Sequence, residues 1–210
     1  MSNEPIRNVK GVHPPKTNLG LVKMHTLVEV AERLFTQSSF FEVSVSDICK
    51  EAHTAVGTFY IYFETKTDIY RYLVEDYKRR IKRSLSQSIA GCTTRYERER
   101  AGIKSFVRFS VENPNVYHIV WGSLAVEKQL FEDYYMSFAD SYARALRGDQ
   151  EELVSEDVMS LAYMLMGIAS FLGLRGMLET LNNEQIDKMV DETVMTILEK
   201  GLFKPSALPE

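Results

Sequence analysis

The chain of 210 residues is 45% apolar, 26% charged and 11% aromatic, which suits one large or two small globular domains and excludes a disordered or collagen-like polymer. Its two cysteines, Cys49 and Cys92, stand far apart with no CxxC, so neither a disulfide framework nor a cysteine zinc site is supported. The net charge of −4 is unevenly spread: residues 1–83 carry 13 Lys and Arg against 10 Asp and Glu (+3), and residues 84–210 carry 12 against 19 (−7), the asymmetry expected if only the front meets phosphate.

Residues 1–17 mix Pro, Gly and charge without periodicity and read as a mobile arm. They hold no apolar run of the kind a secretory signal needs, so a reducing cytoplasm is the expected location. Leu27, Val30, Ala31, Leu34 and Phe35 recur at three- and four-residue steps, predicting an amphipathic helix that runs to about Gln37. After the connection SSFFEV, Ser44 precedes a second helix, Val45 to about Ala52. With Asp47 three residues on, the serine caps a free N–H while the acid faces the positive helix end. His53 to Ala55 form a tight turn and Val56 to about Phe63 a third short helix, a helix-turn-helix layout over 18–64. Thr65 opens a long fourth helix in which Ile69, Leu73, Tyr77, Ile81 and Leu85 hold a four-residue step. Further helices are expected near 95–112, 114–124, 126–147, 156–180 and 184–201, with Pro114 at one start and Gly148 at one end. No strand alternation and no internal repeat are visible, so the class is all-α, with residues 65–210 forming the second domain.

A recognition helix of about eight residues enters a major groove with small residues at its tip and donors along its flanks. Ala55, Val56, Gly57 and Thr58 supply the tip, and Thr58, Tyr60 and Tyr62 supply hydroxyls. Ser44 and Ser46, with the free N–H groups at the start of the second helix, form a candidate phosphate site. Phe59 and Phe63 belong to the core of the three helices, while Tyr62 suits either phosphate or packing.

The segment from Leu27 to Tyr72 contains AxxLF, SVSDIC, GTFYIYF and TKTDIY in order. It resembles the DNA-binding domain of the TetR family of transcriptional regulators (TetR/AcrR type). The resemblance implies that Lys66 holds a backbone phosphate and that Tyr60 contacts another. Two departures stand out: family glycines with positive φ are replaced by Ser39 after the first helix and His53 in the turn. The family's usual basic residue near the start of the recognition helix is Val56 here, which suits an apolar touch on a thymine methyl.

The resemblance also implies an inducer held among the helices of the second half. Rich in aromatics and methionine, that half offers Phe109, Tyr117, Trp121, Tyr135, Phe138, Tyr142, Tyr163 and Met166 as the lining of an apolar pocket. The stretch from Phe106 to Leu146 is similar to sensor halves of family members tied to fatty-acid and acyl-CoA metabolism. The last two helices read as a homodimer interface of four-helix-bundle type, through Leu172, Gly173, Gly176, Ile186, Val190, Val194 and Ile197. The implied function is a repressor released from a palindromic operator in double-stranded DNA by an apolar small molecule.

No catalytic constellation, cofactor motif or paired metal-ligand spacing is found; the four histidines make no HExxH. The uncharged run Val158 to Leu174 falls short of a membrane span and reads as a buried core helix. The basic run Lys78 to Arg83 reads as a solvated face. Two other readings remain open: a thiol redox-sensing regulator using Cys49 or Cys92, and a helical small-molecule-binding protein without DNA function.

Overall fold

The computed structural model describes residues 8–201. Among these residues there is no strand, only an isolated antiparallel bridge between Val12 and Phe63, and the architecture is all-α. In chain order the helices are α1 (Asn18–Gln37), α2 (Val45–Glu51), α3 (Val56–Tyr62), α4 (Lys66–Ser88), α5 (Arg95–Glu112), α6 (Asn115–Val126), α7 (Lys128–Gly148), α8 (Val158–Glu179), α9 (Asn183–Lys188) and α10 (Thr196–Gly201). The chain divides into two compact units: residues 1–79 with 115–134, and residues 80–114 with 135–210. The boundary read at 64/65 follows the motif instead; α6 and the first turns of α7 belong with the N-terminal helices.

In the first unit, α1 buries Met24, Leu27, Val28, Ala31 and Phe35, one stripe at helical spacing. Ile48 and Cys49 of α2, Phe59 and Phe63 around α3, and Ile69, Tyr70 and Leu73 of α4 complete this core. Asp47 does close a capping box: the Ser44 hydroxyl accepts from its N–H at 3.1 Å, and its carboxylate accepts from the Ser44 N–H at 2.9 Å. At the other end of α2, His53 takes a left-handed φ of 50°, its N–H reaches Lys50 O, and the Thr54 N–H reaches Cys49 O at 2.9 Å. This is the double-bonded helix terminus that normally takes glycine. Ser39 differs from expectation. Its φ is not positive; instead its N–H and hydroxyl both donate to Glu42 Oε2, at 2.9 and 3.0 Å. A close approach joins α4 to α6, where the Tyr70 hydroxyl donates to Ile119 O at 2.8 Å. A Cβ at Gly122 would come within 2.6 Å of that hydroxyl oxygen.

The reading of residues 1–17 as a mobile arm is corrected over its described part. The His13 N–H donates to Tyr62 O at 2.8 Å and the Glu64 N–H to Gly11 O at 3.0 Å, so the segment is laced to the exit of α3. Residues 1–7 lie outside the described residues.

The second unit is built on α5 packed along α8. Gly176 lets them meet, since a Cβ there would stand 3.0 Å from Val107 and 3.1 Å from Val111. Ile103, Val107, Leu161, Leu165, Val190 and Leu198 lie in one buried cluster. The expected last helix is interrupted by a π-helical segment, Met189–Met195, between α9 and α10. Its Asp191 accepts from Arg100 and Lys104, both at 2.7 Å. Deeper in the unit, Arg95 (5% exposed) donates to Glu99 (1% exposed) at 2.7 Å, and the Tyr142 hydroxyl donates to the same carboxylate group.

The basic run in α4 is not the solvated face expected. Its side chains, apart from exposed Arg83, are partly covered. Within the first unit Arg79 pairs with Asp76 at 2.7 Å. Within the second, Arg80 bonds Asn113 and lies 5.5 Å from the Phe109 ring, while Lys82 bonds Ser137 and lies 5.2 Å from the Phe138 ring.

Candidate nucleic-acid interface

The seven residues of α3 separate cleanly into two faces. Phe59 and Tyr62 turn inward, and Phe63 follows them at the C-cap. Their spacing leaves Val56, Gly57, Tyr60 and Ile61 outward, with Val56, Tyr60 and Ile61 at 42%, 53% and 62% exposure. Nothing stands within 4 Å of a Cβ built on Gly57. Ala55, the N-cap, is exposed and offers no side-chain bond, and Thr58 is half-buried. The tip of the helix is therefore small and open, as insertion into a groove requires. Sequence reasoning missed Ile61, although the inward i, i+4 pair Phe59 and Phe63 already places it on the outer face.

Three expected contact residues have other positions. Tyr62 is buried at 5% exposure and serves as packing, which resolves its two readings. The Ser44 hydroxyl donates to Asp47 Oδ2 at 2.6 Å, so the start of α2 already holds a carboxylate where a phosphate was expected. That carboxylate lies below the usual range because the Ser44 hydroxyl and then its backbone N–H donate to it. Ser46 stays exposed beside it. Lys66 is the third. Its Nζ donates to Phe40 O and Val43 O, both at 2.7 Å, and lies 4.2 Å from the centroid of the Phe40 ring. Burial lowers its pKa. The ammonium therefore ties the α1–α2 loop to the start of α4, at the position where the resemblance implies a phosphate contact.

The residues read as an inducer pocket are divided between the units: Tyr117 and Trp121 stand in α6 of the first, with ring centroids 5.1 Å apart. Phe109, Tyr135, Phe138, Tyr142, Tyr163 and Met166 belong to the second. Phe109 is buried, Tyr135, Phe138, Tyr142 and Met166 are half-buried, and Tyr163 is 49% exposed. A cleft of about 1040 Å³ in the second unit is lined by other residues, among them Cys92, Tyr96, Arg100, Lys104 and Arg108. Its three α5 cations are paired with Asp187 and Asp191.

Most of the residues read as a dimer seam are buried within their own unit. Ile186, Val190 and Val194 are 1%, 0% and 7% exposed because they pack in the cluster of α5 and α8. Gly173 and Gly176 are also buried, and Leu172 is half-buried. Ile197 alone among them is open, at 65%. The outer face of α8 instead presents Met164, Phe171 and Leu178, the last two at 68% and 71%. By length and composition α8 is apolar enough to cross a membrane, yet its inner face is the core partner of α5.

Among the described residues no group of His, Cys, Asp and Glu is arranged to hold a metal. Cys49 is buried in the first core and burial pushes its thiol pKa up, the opposite of what a redox-active thiolate needs.

Residues 27–73 match the family profile of bacterial regulatory proteins, tetR family. Solved structures share the fold well beyond that segment. A candidate TetR-family transcriptional regulator from Syntrophomonas wolfei aligns with a TM-score of 0.72 at 23% identity, covering 88% of this chain and 98% of its own. The fatty acid degradation regulator FadR from Bacillus halodurans aligns at 0.70 and 16%, covering 84% and 94%. A TetR family transcriptional regulator from Chloroflexus aurantiacus aligns at 0.66 and 20%, covering 87% and 94%. No curated protein matches the chain closely enough to count as a relative. The profile match gives residues 27–73 the helix-turn-helix signature of the tetR family, and the whole chain shares the fold of these regulators.

Proposed function

We propose that the chain is a cytoplasmic, ligand-responsive repressor that binds a palindromic operator as a homodimer and releases it when an apolar small molecule binds. The observation that carries the DNA half is the outward face of α3, where an open tip and the exposed Val56, Tyr60 and Ile61 stand on a helix whose inner face is locked by Phe59 and Phe63. Tyr60 supplies a phosphate contact, and Val56 with Ile61 supplies apolar contacts to thymine methyls. Ser46 and Thr58 lie at its margin.

The dimer forms through the outer face of α8, with Phe171 and Leu178 central, together with Ile197 of α10. Two-fold pairing on such a face matches an operator with two half-sites. The effector enters among the aromatic residues of the second unit. Arg80 beside Phe109 and Lys82 beside Phe138 suit a carboxylate joined to an alkyl chain, and a fatty acid or its thioester is the class we favour. One compared structure is a fatty acid degradation regulator by name, which supports the same class. The effector acts only through its unequal affinity for the bound and released spacings of the two recognition helices.

The deciding experiment is selection of bound duplexes from a random pool with purified protein. An enriched near-palindrome is the expected result; sequencing that returns no enrichment from protein refolded free of ligand would refute the reading. Mass spectrometry of the co-purified ligand tests the effector class, and a polar or sugar-like compound would overturn it.

A further inference from the structure

Beyond α3, the segment Lys10–Lys16 is fastened to the same surface at two points. At one end Gly11 sits at φ 70° directly over the buried Asp68, where any Cβ would overlap the carboxylate. The neighbouring Val12 is buried and bridges Phe63. His13 adds an exposed pair, Nε2 to Glu64 Oε1 at 3.1 Å. At the other end Pro15 packs against Gly20, with a Cβ there only 2.7 Å from the Pro15 Cβ, and Thr17 caps α1. The strap thus runs beside the exit of the recognition helix, bonded to Tyr62 and Glu64 through its backbone.

Its charge is one-sided. Between Glu4 and Glu29 the sequence holds Arg7, Lys10, Lys16 and Lys23 and no acid. Lys10 and Lys16 flank the two anchor points and are exposed, and among the described residues no carboxylate pairs with either. Cations on an anchored backbone lose less freedom on binding a polyanion than cations on a loose tail.

We infer that this strap is a second DNA-contacting element, with Lys10 and Lys16 neutralising backbone phosphates flanking the base pairs under α3. The inference rests on the DNA-binding reading above. It makes the strap a source of affinity and salt dependence, and leaves sequence preference to α3.

The test is a salt titration, between about 50 and 200 mM, of binding to the operator recovered by selection and to a mixed-sequence duplex. Each phosphate-neutralising lysine contributes about 0.9 to the slope of log K against log salt. Lys10→Gln with Lys16→Gln should therefore lower the slope by about two per protomer on both duplexes, with the selected sequence profile unchanged. Gly11→Ala, which unseats the strap while keeping both lysines, should lower the slope in the same direction, with helicity and melting followed by circular dichroism. Wild-type slopes in the double variant would overturn the strap as a DNA contact while leaving the regulator intact. A wild-type protein that binds neither duplex would overturn both readings at once.

Discussion

Replacing Lys66 by methionine keeps most of the aliphatic stem and removes the ammonium. The side chain gives up two 2.7 Å bonds, to Phe40 O and Val43 O, and its seat 4.2 Å from the Phe40 ring. A hydrogen bond with one charged partner is worth about 1.5–3 kcal/mol, and the cation–ring contact adds about 0.5–1 kcal/mol. Against these stands the cost of desolvating the ammonium, the same burial that lowers its pKa. The balance is a loss of about 2–3 kcal/mol, and at about 2–4 °C per kcal/mol for a chain of this size the Tm should fall by about 4–12 °C. A lysine on phosphate makes the opposite pattern: little change in Tm, and a salt slope lower by about 0.9 per protomer. Thermal melts and salt titrations of Lys66→Met therefore separate the two roles. An unchanged Tm with a reduced slope would refute the assignment of Lys66 to the loop.

Other consequences follow from the second unit. Glu99→Gln removes the buried counter-charge of Arg95 while Asp149 stays 3.5 Å away, so denaturant unfolding should show a loss near the lower end of the roughly 3–5 kcal/mol usual for a broken buried pair. Tyr142→Phe, which spares the pair but removes a hydrogen bond to the charged Glu99, should lose about 1.5–3 kcal/mol. Asp191 is held at about 2 chiefly by the hydrogen bond from Arg100. Because its folded pKa lies below the unfolded value, its contribution is complete above about pH 4 and is lost as pH falls toward 2. After allowance for solvent screening this amounts to about 1 kcal/mol, and Asp191→Asn should remove that part of the acid sensitivity. Phe171→Glu or Leu178→Glu should give folded monomers in light scattering, whereas Val190→Glu should fail to fold; a folded monomer from Val190→Glu would return that residue to the interface.

The parts legible in the sequence are those governed by neighbours a few positions apart. Ser44 and Asp47 announce their capping box because both partners lie within one turn. His53 stands where a left-handed residue must follow α2, and the backbone bonds of that terminus confirm the geometry. The inward face of α3 follows from Phe59 and Phe63 alone. Lys66 belongs to another class. Its partners are backbone carbonyls more than twenty positions away, and no local pattern distinguishes a lysine that reaches phosphate from one that closes a loop. The basic run of α4 fails for the same reason: Arg80 and Lys82 find Asn113 and Ser137 through tertiary packing, and composition reads them as solvated.

The C-terminal helices expose a deeper limit of periodicity. A stripe of Ile186, Val190 and Val194 states that a face is buried without stating by what. A core and a homodimer seam demand the same residue types at the same spacing. The choice is made by α5, whose Val107 and Val111 approach α8 closely at Gly176 and draw the stripe inward. Once that face is spent, the apolar residues left over are the informative ones. Phe171 and Leu178 cannot be satisfied by the unit's own core, and large apolar side chains grouped in water mark an association surface. The small glycine that looked like an interface device is what leaves the opposite face of α8 open for the pairing proposed above.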